Sequence, residues 1–173
     1  MKLLSLLSLA FSLLCANIEL PQNFQADFIQ KITNTKEKVI IYSGKVRFSN
    51  ERLFKWNYTE PTKKEVCTDG LELLVVDHDL EQVSAYRITQ GIDIANILKK
   101  ASLHRDNIYV AAYKNKQYTI QVDQQQKLQS IAYYDDLDNK VQIVFKRIKY
   151  GKGNLPTQSM KCNYPQNYDM IRG

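Results

Sequence analysis

Histidine and cysteine are scarce, with two and three residues in a chain of 173. That leaves too little material for a multi-ligand zinc site, and no bound metal is expected. Glycine and proline are few, at six and four, and no internal repeat or low-complexity linker interrupts the chain. A collagen-like or disordered chain is thereby excluded. Nucleophile elbow, phosphate loop and HExxH motifs are all missing, so no enzymatic activity and no cofactor are expected. A one-signed charge block is missing too. Lys and Arg number 24 against 18 Asp and Glu, a net charge of +6. These cations are spread along the chain, so the eleven tyrosines do not read as a nucleic-acid platform.

What is present is a globular composition, with 44% hydrophobic and 24% charged residues. It is sufficient for one domain with one core. The first residues stand apart. Met1-Lys2 precedes the apolar run Leu3 to Leu14, which ends on Cys15-Ala16. One cation, a short apolar stretch and a small residue make the pattern of a secretory signal peptide. The run is shorter than the roughly 20 residues of a spanning helix. Cleavage after Ala16 leaves residues 17–173 as a single exported domain. Lipidation of Cys15 is the alternative, but Leu14 stands where a small residue is needed. The mature chain keeps Cys67 and Cys162. In an oxidising compartment they form either one disulfide or two separate buried thiols.

Along the mature chain the period of the apolar residues changes. Leu20, Phe24, Phe28 and Ile32 recur every four residues, which predicts a helix over 19–33 with Pro21 in its first turn. From Val39 the pattern turns to alternation. Val46 and Phe48 share one face, and Phe54, Trp56 and Tyr58 share another such row before Pro61. Short strands follow around 65–68, 71–76 and 82–88, with an Asp69-Gly70 turn. Residues 92–103 read as a second helix, with Ile94, Ile97, Leu98 and Ala101 along one face. Strand patterns resume at 108–114, 117–122, 128–134 and 140–150, and a last strand is expected near 159–163. The expected fold is α+β and mainly antiparallel β, a curled sheet or barrel whose concave side two helices cover.

Asp77-His78-Asp79-Leu80-Glu81 holds titratable groups. Neighbours on one turn rarely converge on one ion, so a solvated hairpin turn is expected. His104 is isolated.

Several blocks, in order, resemble one family. They are Phe24-Gln25-Ala26-Asp27-Phe28-Ile29-Gln30, Gly44-Lys45-Val46, Phe54-Lys55-Trp56 closing on Pro61, Thr68-Asp69-Gly70 with Asp77 to Val83, and Pro165 to Ile171. Together they are similar to the periplasmic outer-membrane lipoprotein carriers, the LolA family. The resemblance implies an incomplete, unclosed β-barrel with a lid of α-helices over a hydrophobic cavity. It implies a monomeric periplasmic carrier of a Gram-negative bacterium. Such a carrier takes acylated lipoproteins from an inner-membrane ABC transporter of the LolCDE kind. It shields their acyl chains and passes them to an outer-membrane acceptor. Phe54 and Trp56 follow from the resemblance as cavity residues. Val46, Phe48, Leu73, Val75, Ile94, Ile97 and Leu98 join them from strand alternation and helical face. The family's Arg-Pro latch ahead of Phe-x-Trp is absent, since Asn50-Glu51 stands there. Arg47 and Arg52 are the nearby candidates for tying lid to barrel. A membrane-anchored acceptor of the LolB kind and a periplasmic lipid-active hydrolase are the competing readings.

Overall fold

The computed structural model describes Ile18 and residues 21–50, 53–68, 71–87 and 94–172. The expected signal peptide, Arg52 and the Asp69-Gly70 turn lie outside the described residues. Among the described residues twelve strands form one sheet. They are β1 (Asn23–Thr33), β2 (Val39–Ser49), β3 (Leu53–Glu60), β4 (Lys64–Thr68), β5 (Glu72–Asp77), β6 (Gln82–Arg87), β7 (Ser102–Arg105), β8 (Ile108–Tyr113), β9 (Lys116–Val122), β10 (Leu128–Tyr134), β11 (Lys140–Gly151) and β12 (Asp169–Arg172). Two short helices accompany them, α1 (Ile94–Lys99) and α2 (Thr157–Met160). The order across the sheet is β12-β6-β5-β4-β3-β2-β1-β11-β10-β9-β8-β7. All neighbours are antiparallel except β12 with β6. The end strands β12 and β7 do not pair, so the sheet is unclosed.

The helix expected over 19–33 is instead β1. A repeat of four is also a multiple of two. The even positions between the repeats decide the matter: Phe24, Ala26, Phe28 and Gln30 are all buried, while Gln25 and Lys31 are exposed. A strand buries that set on one face, and a helix would scatter it. The second helix is shorter than expected. It stops at Lys99, and Leu103 belongs to β7, half-exposed. The strand expected near 159–163 is also absent. That stretch holds the end of α2 and extended chain, and the final strand comes later, at Asp169–Arg172.

Each face of the sheet has its own cover. One apolar cluster joins the inner face of β1–β3 and β8–β11 to α1. Residues 152–168, here called the strap, lie on the outer face of β2–β5 and lead into β12. Of the two helices expected to cover the concave side, the one at 92–103 does so as α1, the one at 19–33 is β1, and the unexpected α2 belongs to the strap.

Candidate functional site: an apolar interior under a short helix

Register places the expected site residues. Directly paired residues share a face. One row runs Phe24, Phe48, Phe54, Thr68, Leu73 and Tyr86 across β1 to β6. The next runs Ala26, Val46, Trp56, Val66, Val75 and Ser84. All six strand residues expected to line the interior thus lie on one face. Val46, Phe48 and Trp56 are buried in the cluster, and Phe54 packs against it. Leu73 and Val75 lie further along the same rows, half-buried and outside the cluster.

Ile94, Ile97 and Leu98 of α1 are buried in the same cluster, with Ala95 beside them. The helix has six residues, too few to be stable on its own in water. Its packing on β8 and the inner face holds it. The interior is packed in this structure. Trp56 is 6% exposed, and Ile97, Ile120 and Ile131 are fully buried.

The packing is aromatic at the centre. Phe28 meets Trp56 edge to face at 4.7 Å and Tyr58 at 5.0 Å. Phe24 stacks on Phe48 at 5.3 Å. Phe145 closes the group 6.2 Å from Trp56. Tyr118 and Tyr133 pair at 5.2 Å. Few directional bonds enter this interior. Tyr58 donates its hydroxyl to Gln30 Oε1 at 3.1 Å. Burial pushes the phenols of Tyr58 and Tyr133 well above the ordinary tyrosine range, so both stay neutral at physiological pH.

Sequence reasoning missed Phe145 as an interior residue and placed Phe24 and Phe28 on a covering helix, where the structure has them in the sheet itself. For Phe24 and Phe28 the alternation with Ala26 and Gln30 was the available signal. It also missed the role of Gly44. A Cβ there would collide with the Asn57 carbonyl, where the β2–β3 register shifts. Only glycine lets the two backbones approach so closely.

The outer face has a different chemistry. Cys67 and Cys162 are disulfide-bonded, their Cα atoms 5.7 Å apart. Lys55 Nζ lies 2.9 Å from Glu65 Oε2 and donates to the Lys161 carbonyl at 2.8 Å. Glu65 also accepts the Asn163 amide at 2.8 Å. Glu65 sits beside the two sulfurs, but a disulfide offers no thiolate and the carboxylate already has two donors. Arg47 donates to the Ser159 carbonyl at 3.0 Å. It projects from the face opposite α1, because it alternates with Val46 and Phe48. In this structure it holds the strap, not the helix, which corrects its expected role as a latch. The turn at 78–81 is a hairpin turn, with His78 Nδ1 3.2 Å from the Tyr168 hydroxyl. His104 is exposed on β7.

Residues 21–154 match the family model described as outer membrane lipoprotein carrier protein LolA. The chain belongs to this family. A protein of Campylobacter jejuni subsp. jejuni serotype O:2 named outer-membrane lipoprotein carrier protein is 37% identical over 150 residues, 86% of each chain. A protein of the same name from Wolinella succinogenes is 29% identical over 144 residues, 83% of this chain and 84% of that one. Among solved structures, a LolA superfamily protein from Nitrosomonas europaea aligns with a TM-score of 0.51 at 14% identity, covering 84% of this chain and 93% of that chain. An uncharacterised conserved protein from Thermus thermophilus aligns at 0.58 and 12% identity, covering 89% and 92%. At such identities the two structures speak for the fold alone. Among the described residues no helix is long and apolar enough to cross a membrane.

Proposed function

We propose that this chain is a periplasmic lipoprotein carrier. It takes acyl chains of outer-membrane lipoproteins from an inner-membrane ABC transporter, shields them between α1 and the inner face, and delivers them to an outer-membrane acceptor. Family membership supports the cargo class. The observation that carries the mechanism is a six-residue helix whose apolar residues are buried in the same cluster as the aromatic inner face. On this reading α1 is a lid, and Phe54, Trp56, Val46 and Phe48 meet the acyl chain once it lifts. Leu73 and Val75 extend the path along the same two rows.

Magnitudes set how far lid closure offsets acyl binding. Lifting α1 exposes Ile94, Ile97 and Leu98, at about 1.5–3 kcal/mol each, roughly 5–9 in all. An acyl chain of about 15 carbons gains on the order of 12 kcal/mol by burial. The acyl term exceeds the lid term by about 3–7 kcal/mol, so the lid offsets a large part of the gain and release still needs an acceptor that binds the chain more tightly. Contacts without directional bonds suit the exchange, because methylene groups and Leu or Ile side chains are interchangeable partners. The apolar run at 1–16 supports export by a cleaved signal peptide. No catalytic step is part of this reading.

The test adds residues 17–173 to spheroplasts and follows newly made lipoproteins. ATP-dependent release as a soluble one-to-one complex, lost with W56Q in a variant that still folds, is the expected result. No release, with the protein itself lipidated on Cys15 and found in the outer membrane, would replace the carrier with an acceptor.

A further inference from the structure

The β2 edge at Val39–Tyr42 has unfilled bonding capacity. The β1–β2 ladder runs to Thr33 and Val39. The β2–β3 ladder ends at Ser43 and Glu60. Val39–Tyr42 therefore has a strand neighbour on one side only, among the described residues. The cause is in the sequence. The residue after Glu60 is Pro61, which has no N–H to give to β2. The Asn34 amide donates to the Lys38 carbonyl at the hairpin end, so Lys38 is a hydrogen-bonded position. Antiparallel alternation then turns the peptide groups of Ile40 and Tyr42 towards β1, and those of Val39 and Ile41 outward. Ser43, the next outward position, is met by β3 and by the Thr59 hydroxyl.

The side chains agree with the main chain. Val39, Ile40 and Ile41 are 46%, 51% and 58% exposed, on both faces of the ribbon. Exposed apolar edges invite another strand, and proteins usually blunt them. The two ends of this sheet are blunted. The four-residue strand β7 carries His104 and Arg105, and β12 carries Asp169 and Arg172. The gap beside β2 has no charge of its own, and exposed Lys38 and Glu60 stand at its two ends.

We propose that Val39–Tyr42 is a docking edge for an extended apolar strand of a partner protein, added antiparallel to β2. Main-chain bonds to Val39 and Ile41 hold that strand. Its side chains alternate over Ile41 on one face and Ile40 on the other. A base at its amino end meets Glu60, and an acid at its carboxyl end meets Lys38. The docking rests on this edge alone and is independent of acyl binding.

The probe is a short blocked peptide alternating valine and threonine, with lysine first and glutamate last. Its binding to residues 17–173 is followed by fluorescence anisotropy and by amide hydrogen exchange. The expected result is slower exchange at Val39 and Ile41, by about tenfold or more, with Ile40 and Tyr42 unchanged. I41P removes one outward donor without touching the β1 ladder, and I41K adds a charge in the same place. Each is expected to weaken the peptide by about tenfold or more, with the unfolding midpoint nearly unchanged. No binding, or protection confined to other strands, overturns the proposal. So does protection of Val39 and Ile41 without peptide that grows with protein concentration, which makes the occupant a second copy. Protection that appears only with vesicles of anionic phospholipid makes it a lipid surface and likewise overturns the proposal.

Discussion

The two faces of the sheet are held by opposite kinds of force. On the outer face a strap is fixed by a disulfide, a shielded ion pair and main-chain hydrogen bonds. On the inner face a short helix is fixed by apolar packing. Directional and covalent bonds lock one geometry. Apolar contacts transfer readily to any other apolar partner of similar volume. A carrier needs both, a frame that does not move and an interior that can be exchanged.

Changes that act on one face only will sharpen or break this contrast. W56A is expected to have the largest effect. It leaves a cavity beside Phe28 and Phe145 and lowers stability by about 3–5 kcal/mol, read by urea unfolding. A loss under about 1 kcal/mol would show that the interior relaxes freely and is not a defined site. Removing the staple with C67S and C162S together is expected to lower stability by about 2–4 kcal/mol, since it closes a long loop of 95 residues. Acyl-probe affinity should stay within about twofold, because the strap is not part of the interior. A large loss of affinity would couple the two faces and end the comparison.

I97A acts on α1, the lid of the proposed carrier. It is expected to lower stability of the closed form by about 2–3 kcal/mol. A lid that is easier to lift should bind a fluorescent fatty acid more tightly, by up to about tenfold. Weaker binding would make Ile97 a wall of the acyl site instead of its competitor.

The smallest effect concerns Asp27 on the outer face. The Lys45 ammonium at 2.9 Å, and then Arg147, hold its carboxyl below the usual aspartate range despite partial burial. A depressed folded-state value means that the stabilisation is present above the unfolded value, near 3.8, and is lost as pH falls through the folded one. D27N should therefore cost under about 1 kcal/mol at pH 7, and the deficit should vanish well below pH 4. An unchanged deficit in acid would assign it to packing.

Much of this was legible in the chain. Alternation through Phe54, Trp56 and Tyr58, and through Val46 and Phe48, placed these side chains on one face. That placement is local, because the pleat alone sets it. The face of α1 was readable from Ile94, Ile97 and Leu98 for the same reason. The region around Phe24 and Phe28 was not, since a spacing of four satisfies both periods. The end of α1 was also hidden, as Ser102–Arg105 leaves the helix to pair with β8. The strap was largely illegible as well, because apart from the possible pairing of Cys162 with Cys67 nothing in residues 152–168 states which surface they cover.

The strand-rich pattern, the facing of most interior residues, the family and the proline that ends β3 could all be read from the chain. These depend on neighbours along the chain, where sterics and periodicity act directly. The tertiary structure was needed to show that Cys67 meets Cys162, that Arg47 serves the strap, and that α1 packs on the inner-face cluster. Each of these is a contact between segments far apart in sequence. Such contacts follow from how the whole sheet coils and which surfaces it brings together, and no local pattern carries that information.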